Sequence, residues 1–80
     1  MDICDDPVYL IRIDAAANMA RFYQLRIEPT LFGGIALTRN WGRIGHFGQT
    51  RTVFHASFQD ALQEKQFHLE RKLKRGYRYP

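Results

Sequence analysis

The sequence predicts an α+β fold: a small antiparallel sheet of about four strands with one long C-terminal helix packed on it. Three observations carry that prediction. Short alternating or β-branched segments recur through the first two thirds of the chain, separated by Gly, Pro and Asn. A glycine-rich turn, "GRIGHFGQ", stands between the last two of them. The chain then closes with a run of about 18 residues, "FQDALQEKQFHLERKLKR", that holds neither Gly nor Pro. Eighty residues allow one domain with one core, since a chain of this size buries a little over ~60% of the surface exposed on unfolding.

The first predicted strand is "VYLIRID", Val8–Asp14, framed by Pro7 and the small-residue run "AAAN", which reads as a connection. A helical turn over "DAAANMARF" is the alternative for that connection. "FYQLRIE", Phe22–Glu28, alternates cleanly, with Tyr23, Leu25 and Ile27 on one face and Phe22, Gln24, Arg26 and Glu28 on the other. Pro29 ends its ladder, and "PTLFGG" reads as an excursion between strands. In "IALTRNW" the alternation groups Ile35, Leu37, Arg39 and Trp41, so the only tryptophan ends the apolar face where the glycines begin. Gly42, Gly45 and Gly48 shape the turn into "TRTVFHA", Thr50–Ala56, which completes a four-stranded meander.

Ser57 is placed as the N-cap of the helix, with Asp60 at the third helical position. Phe58, Ala61, Leu62, Leu69 and Leu73 share one side, with the stem of Lys65 between them, as expected of a helix covering a sheet. Phe67 falls on the opposite side, a misfit unless another segment or a partner covers it. Arg71, Lys72, Lys74 and Arg75 crowd the last turns, where cations favour the helix dipole, and Gly76 is the natural stop.

The net charge of +4 is unevenly spread: residues 1–40 stand at −1 and residues 41–80 at +5. This asymmetry fits an anionic partner, nucleic acid first, because neutralising phosphates releases condensed counterions; solubility charge is the plainer alternative. The amino terminus is acidic and lacks a signal-like apolar stretch, and no segment approaches ~20 apolar residues, so the expectation is a soluble, cytoplasmic protein with no membrane association. One Cys and three scattered His give neither a disulfide nor a metal-ligand spacing, so no metal and no cofactor are expected.

Enzymatic readings fail by inventory. Ser57 is the only serine and is committed as a cap. Cys4 lies in an acidic stretch, the reverse of the setting that activates a thiol. The glycines run GxxGxxG, which is neither a dinucleotide fingerprint nor a phosphate loop. Glu64 and Glu70 sit on a basic helix and read as solvated partners of Lys and Arg. No catalytic residue is expected.

Trp41 is either the ordinary apolar edge of a sheet or an aromatic offered to a ligand. Arg39 and Arg43 flank it at two residues' distance, and an aromatic beside arginines is the combination that stacks on sugars or bases while holding phosphates. His46, inside the turn, is an exposed histidine or a phosphate donor. Phe47 is a base-stacking platform or, the reading the turn context favours, an anchor of the loop on the core.

The residues "NWGRIGHFGQ" closely resemble the signature of the WGR domain, named for its Trp-Gly-Arg triplet and found in DNA-damage-responsive poly(ADP-ribose) polymerases and many bacterial proteins. "ARFYQLRI" resembles that family's early strand, the helix from Ser57 its closing helix, and "KLKRGY" the ending of bacterial members. The resemblance makes residues 8–80 a WGR-like domain preceded by an N-terminal extension, residues 1–7. It implies a DNA-binding module without catalysis of its own. In the polymerases the motif tryptophan packs against sugar at a 5′ DNA terminus and the motif arginine lies at a junction with neighbouring domains and DNA; by position Trp41 and Arg43 inherit these roles. Arg21 falls where members often carry a basic residue near the DNA. These 80 residues carry none of the polymerases' other domains, so break sensing followed by polymer synthesis is not implied.

The expectation is therefore a nucleic-acid-binding module, DNA ahead of RNA, with preference for ends or nicks. Trp41 would stack on sugar while Arg39, Arg43, Arg51, Arg21 and His46 hold phosphates. Tyr23 ranks last as a contact, since alternation puts it in the core. The rival is a protein-interaction module or homodimer that uses the Trp41/Arg43 surface, with Phe67 as part of the interface.

Overall fold

The computed structural model describes residues 5–80, and Cys4, set aside as a nucleophile, lies outside the described residues. Four strands and one helix follow in chain order: β1 (Val8–Asp14), β2 (Met19–Pro29), β3 (Ile35–Arg43), β4 (Gln49–His55) and α1 (Phe58–Lys74). The strands pair antiparallel with their neighbours in sequence, giving the order β1-β2-β3-β4. Each element of the predicted meander is present, with bounds moved by a few residues.

The first connection is a tight turn rather than a helical one. Asp14 Oδ1 accepts hydrogen bonds from the amides of Ala16 and Ala17, and Asn18 takes φ 51°, a left-handed conformation that Asn tolerates. The chain is thus free to re-enter the sheet at Met19, three residues before the predicted start of β2. At its other end Pro29 still pairs, with Ile35, because the last residue of a strand can do without an amide donor.

Directly paired residues share a face of the sheet, so the register decides which side chains meet. Leu10, Tyr23, Trp41 and Gln49 lie in one row across the four strands, and Val8, Leu25, Arg39 and Arg51 in the next. This face receives α1. Leu10, Leu25, Leu37 and Ala61 lose all exposure at the interface, and Phe58, Leu62, Leu69 and Leu73 pack around them. A fully buried leucine contributes about 1.5–3 kcal/mol by leaving water, so these side chains fix the helix on the sheet.

Ser57 caps α1 as expected, its Oγ accepting from the Asp60 amide at 3.1 Å. The far end is closed by Gly76 at φ 97°, with the amides of Gly76 and Tyr77 returning to the carbonyls of Leu73 and Lys72. Tyr77 then turns into the core, and Arg78 pairs with Ile11 on the outer edge of β1. Lys65 is buried where the sequence placed its stem, and its Nζ donates to Asp5 Oδ2 and the Asp6 carbonyl.

Candidate nucleic-acid interface

The turn after Trp41 needs glycine for close approach of the chain to itself. A Cβ on Gly48, at φ 75°, would lie 2.2 Å from the Trp41 carbonyl oxygen, and one on Gly42 would lie 2.7 Å from the Gly48 Cα. The two glycines let β3 and β4 close over the ring of Phe22. Gly45, at φ 92°, has open space around it and is required for its conformation alone. Asn40 Nδ2 fastens the turn by donating to the carbonyls of Phe47 and Gln49 and to Thr50 Oγ1.

This closure fixes the backbone under Trp41, whose ring is half-buried and packs on the core. Tyr23 lies beside it with ring centroids 6.5 Å apart, and the Arg39 guanidinium sits 5.5 Å from the indole centroid. Trp41 thus belongs to the edge of the core and borders solvent there. The solvent side is a cleft of about 210 Å³ between sheet and helix, lined by Tyr23, Arg39, Trp41, His68, Arg71, Lys72 and Arg75.

Cations dominate the cleft. Among the described residues, none of Arg39, Arg71, Lys72 and Arg75 pairs with a carboxylate; Glu28 pairs with Arg26, Asp5 with Lys65, and Glu64 contacts both His55 and His68. Burial, followed by the charges of Arg75, Arg71, Arg39 and Arg21, holds the Lys72 ammonium below its ordinary pKa. Its Nζ lies over the rings of Tyr23 and Tyr77, at 4.7 and 5.2 Å from their centroids. Tyr23 Oη and Arg39 Nε are buried with no hydrogen-bond partner. Burial raises the Tyr23 phenol pKa despite the opposing pull of the nearby Arg39. Mutually repelling cations beside an unpartnered hydroxyl form a site suited to an anion that also accepts hydrogen bonds.

The acidic residue nearest the cleft is already engaged. Glu64 bonds His55 Nε2 through Oε1 at 2.6 Å and His68 Nε2 through Oε2 at 3.0 Å. Burial alone would raise its pKa, but the bonds from His68 and His55 outweigh this and hold it below the ordinary value.

The other predicted phosphate contacts distribute around this cleft. Arg21 pairs with Arg43 across β2 and β3, and with Arg12 across β1 and β2, so three arginines stand side by side on adjacent strands. Arg21 and Arg43 line a second hollow with Ala17, Asn18, Met19 and Ala20. Arg51 lies directly across from Arg39 and is exposed. His46 sits at the exposed tip of the turn, away from the cleft lining. Phe47 does not anchor the loop on the core: it is 99% exposed, because Asn40 and the glycines already fix the turn. Phe67 finds a local neighbour in Arg71, whose guanidinium lies 5.3 Å from its ring.

Sequence reasoning missed the helical half of the cleft. Arg71, Lys72 and Arg75 had a sufficient explanation in the helix dipole, yet with His68 they recur at three- and four-residue spacing and so share one stripe of α1. That spacing was the available signal.

The family model for the WGR domain matches residues 6–80. The chain belongs to the WGR family. WGR domains are non-catalytic modules known in nucleic-acid-binding contexts. The WGR chain is also 46% identical over 71 residues, 89% of its length, to an uncharacterized protein, y4dW, of Sinorhizobium fredii, and spans 35% of that longer protein. No solved structure matches it. Among the described residues of the WGR chain, no helix is long and apolar enough to cross a membrane.

Proposed function

We propose that this WGR chain binds nucleic acid, DNA ahead of RNA, at ends or nicks, with the Trp41 ring against a terminal sugar and the surrounding arginines on phosphates. The observation that carries the reading is the convergence of Arg39, Arg71, Lys72 and Arg75 on the cleft beside Trp41 with no carboxylate to neutralise them among the described residues. Such an arrangement is unfavourable until an anion occupies it. Arg12, Arg21 and Arg43 continue the positive surface on the same face, where successive phosphates of one strand would lie. The cleft, about 210 Å³ between sheet and helix, has room for a terminal sugar phosphate rather than a continuous duplex.

Binding of a nicked or open-ended duplex, compared with a closed dumbbell at two salt concentrations, tests this. With about three or four phosphates neutralised, log K should fall against log salt with a slope of about −2.5 to −3.5. Trp41→Ala should remove the preference for ends, a loss of about 1–3 kcal/mol, while leaving the salt-dependent background. A folded Trp41→Ala protein, verified by thermal melting, that still distinguishes ends from closed duplex would refute the stacking role.

The alternative is a protein-interaction module on the Trp41/Arg43 surface, supported by Phe67, which is half-exposed on the outer side of the helix. A flat salt response, or no binding to nucleic acid at low salt, would favour it.

A further inference from the structure

One feature of the cleft is not explained by phosphate binding alone. The chain holds nine arginines and three lysines, and every cation lining the cleft is an arginine except Lys72. Arginine is the better phosphate fork and never loses its charge; lysine differs in that its neutral amine is a nucleophile. Lys65 is tied to Asp5 and Asp6, and Lys74 is exposed on the helix, so Lys72 alone sits in the enclosed site.

The groups around it complete a constellation. Glu64, His68 and Lys72 recur at intervals of four on α1, and Glu64 orients the imidazole through its bond to His68 Nε2. The second nitrogen of His68 makes no hydrogen bond among the described residues. Tyr23 contributes a buried hydroxyl without a partner. A nucleophilic amine, an oriented imidazole and an unpartnered hydroxyl thus share one cleft with three guanidinium groups.

We propose that Lys72 captures the aldehyde of a phosphorylated sugar as an imine, the ligand being the ring-opened deoxyribose left at a nucleic-acid terminus that has lost its base. The identity of the ligand rests on the end-binding reading. Arg39, Arg71 and Arg75 hold the phosphate. Lys72 Nζ adds to the carbonyl carbon, forming a C–N bond; the amine gives up one proton to His68 and the carbonyl oxygen takes one from Tyr23. Loss of that oxygen as water, with the second amine proton, breaks the C–O bond and leaves the imine, and return of the proton from His68 restores the phenol. No electrons are transferred and no co-reactant is needed. The step is a reversible capture without turnover, and no bond of the nucleic-acid backbone breaks. The lowered basicity of Lys72 supports it, since each unit of pKa lowering raises the neutral amine fraction at neutral pH about tenfold.

The test uses sodium cyanoborohydride to trap the imine on two probes, a nicked duplex with a 5′-terminal base-free deoxyribose phosphate and free 2-deoxyribose 5-phosphate. Peptide mass spectrometry then maps the label. Lys72 should carry several times the label of the exposed Lys74, since its amine is both less basic and held in the cleft. Lys72→Arg should lose that label and Lys74→Arg should keep it, with thermal melts confirming both folds. Label spread evenly over the amines, or undiminished total label in folded Lys72→Arg, overturns the proposal. The wild-type map decides the matter even if Lys72→Arg fails to fold. A parallel titration with an intact nicked end separates the two readings. Binding of that end with no label on Lys72 from either probe sinks the capture alone. Label on Lys72 from the free sugar phosphate, without binding of the end, sinks end recognition alone.

Discussion

The two faces of the sheet are made by the same four strands, yet they carry opposite chemistry. On the face that meets α1, Arg12, Arg21, Arg39, Arg43 and Arg51 accompany the core residues Leu10, Tyr23, Leu25 and Leu37. The other face presents Tyr9, Ile11, Phe22, Gln24, Thr38, Asn40, Thr50, Thr52 and Phe54, and the arginine that the four strands place there, Arg26, is paired with Glu28 at 3.2 Å. Unneutralised charge is thus concentrated on the side that also holds the core. The helix explains how both fit. Its apolar side covers the core along its length through Phe58, Ala61, Leu62, Leu69 and Leu73, and its last turns add Arg71, Lys72 and Arg75 beside the arginines of that face.

The largest difference between the faces should be in stability. Leu25→Ala, beneath the helix, should cost about 2–5 kcal/mol, whereas Phe54→Ala on the open face should stay within about 0.5 kcal/mol, as read from denaturant unfolding. Equal losses would show that something covers the open face.

Binding should separate the faces next. Replacing Arg39 and Arg71 together by Gln should reduce the salt slope for a nicked duplex by about two, while Arg26→Gln leaves it unchanged. A drop with Arg26→Gln would move the interface to the open face.

A smaller effect comes from the crowding around Lys72. Its lowered pKa means that the folded protein bears a cost whenever Lys72 is protonated, from burial first and the neighbouring guanidinium groups second, and is relieved as pH rises through the lowered value. Inorganic phosphate should therefore raise the melting temperature more than chloride at matched ionic strength, and Lys72→Met should shrink the difference.

The smallest effect concerns Glu64, whose carboxyl is held below its ordinary pKa of 4.5. Its stabilisation is present above that value and lost as pH falls through the lower folded pKa. Thermal melts below about pH 4.5 should show a shallower decline for Glu64→Gln than for the unaltered protein. Identical declines would mean that the two histidine bonds contribute nothing to folding.

Much of this arrangement was legible from the chain alone because it is local. Alternation with period two separated Tyr23, Leu25 and Ile27 from Gln24, Arg26 and Glu28, and it placed Arg39 with Trp41. Ser57 and Gly76 marked the helix ends through backbone groups within a few residues of each. Composition likewise placed the basic excess after residue 40.

Only the tertiary structure decided which of those faces meet. The pairings Arg21–Arg43 and Arg39–Arg51 depend on strand register, which turn geometry and core packing set together, and a shift of one residue would send Trp41 to the other face. The anchoring role expected for Phe47 fails because the turn is fixed by Asn40 and by the contact of Gly48 with the Trp41 carbonyl, and needs no aromatic anchor. The docking of α1 brings Arg71, Lys72 and Arg75 against Tyr23 and Trp41, some 30 to 50 positions earlier in the chain. Periodicity places each side chain on a face of its own element; the cleft exists because core packing presses two such faces together.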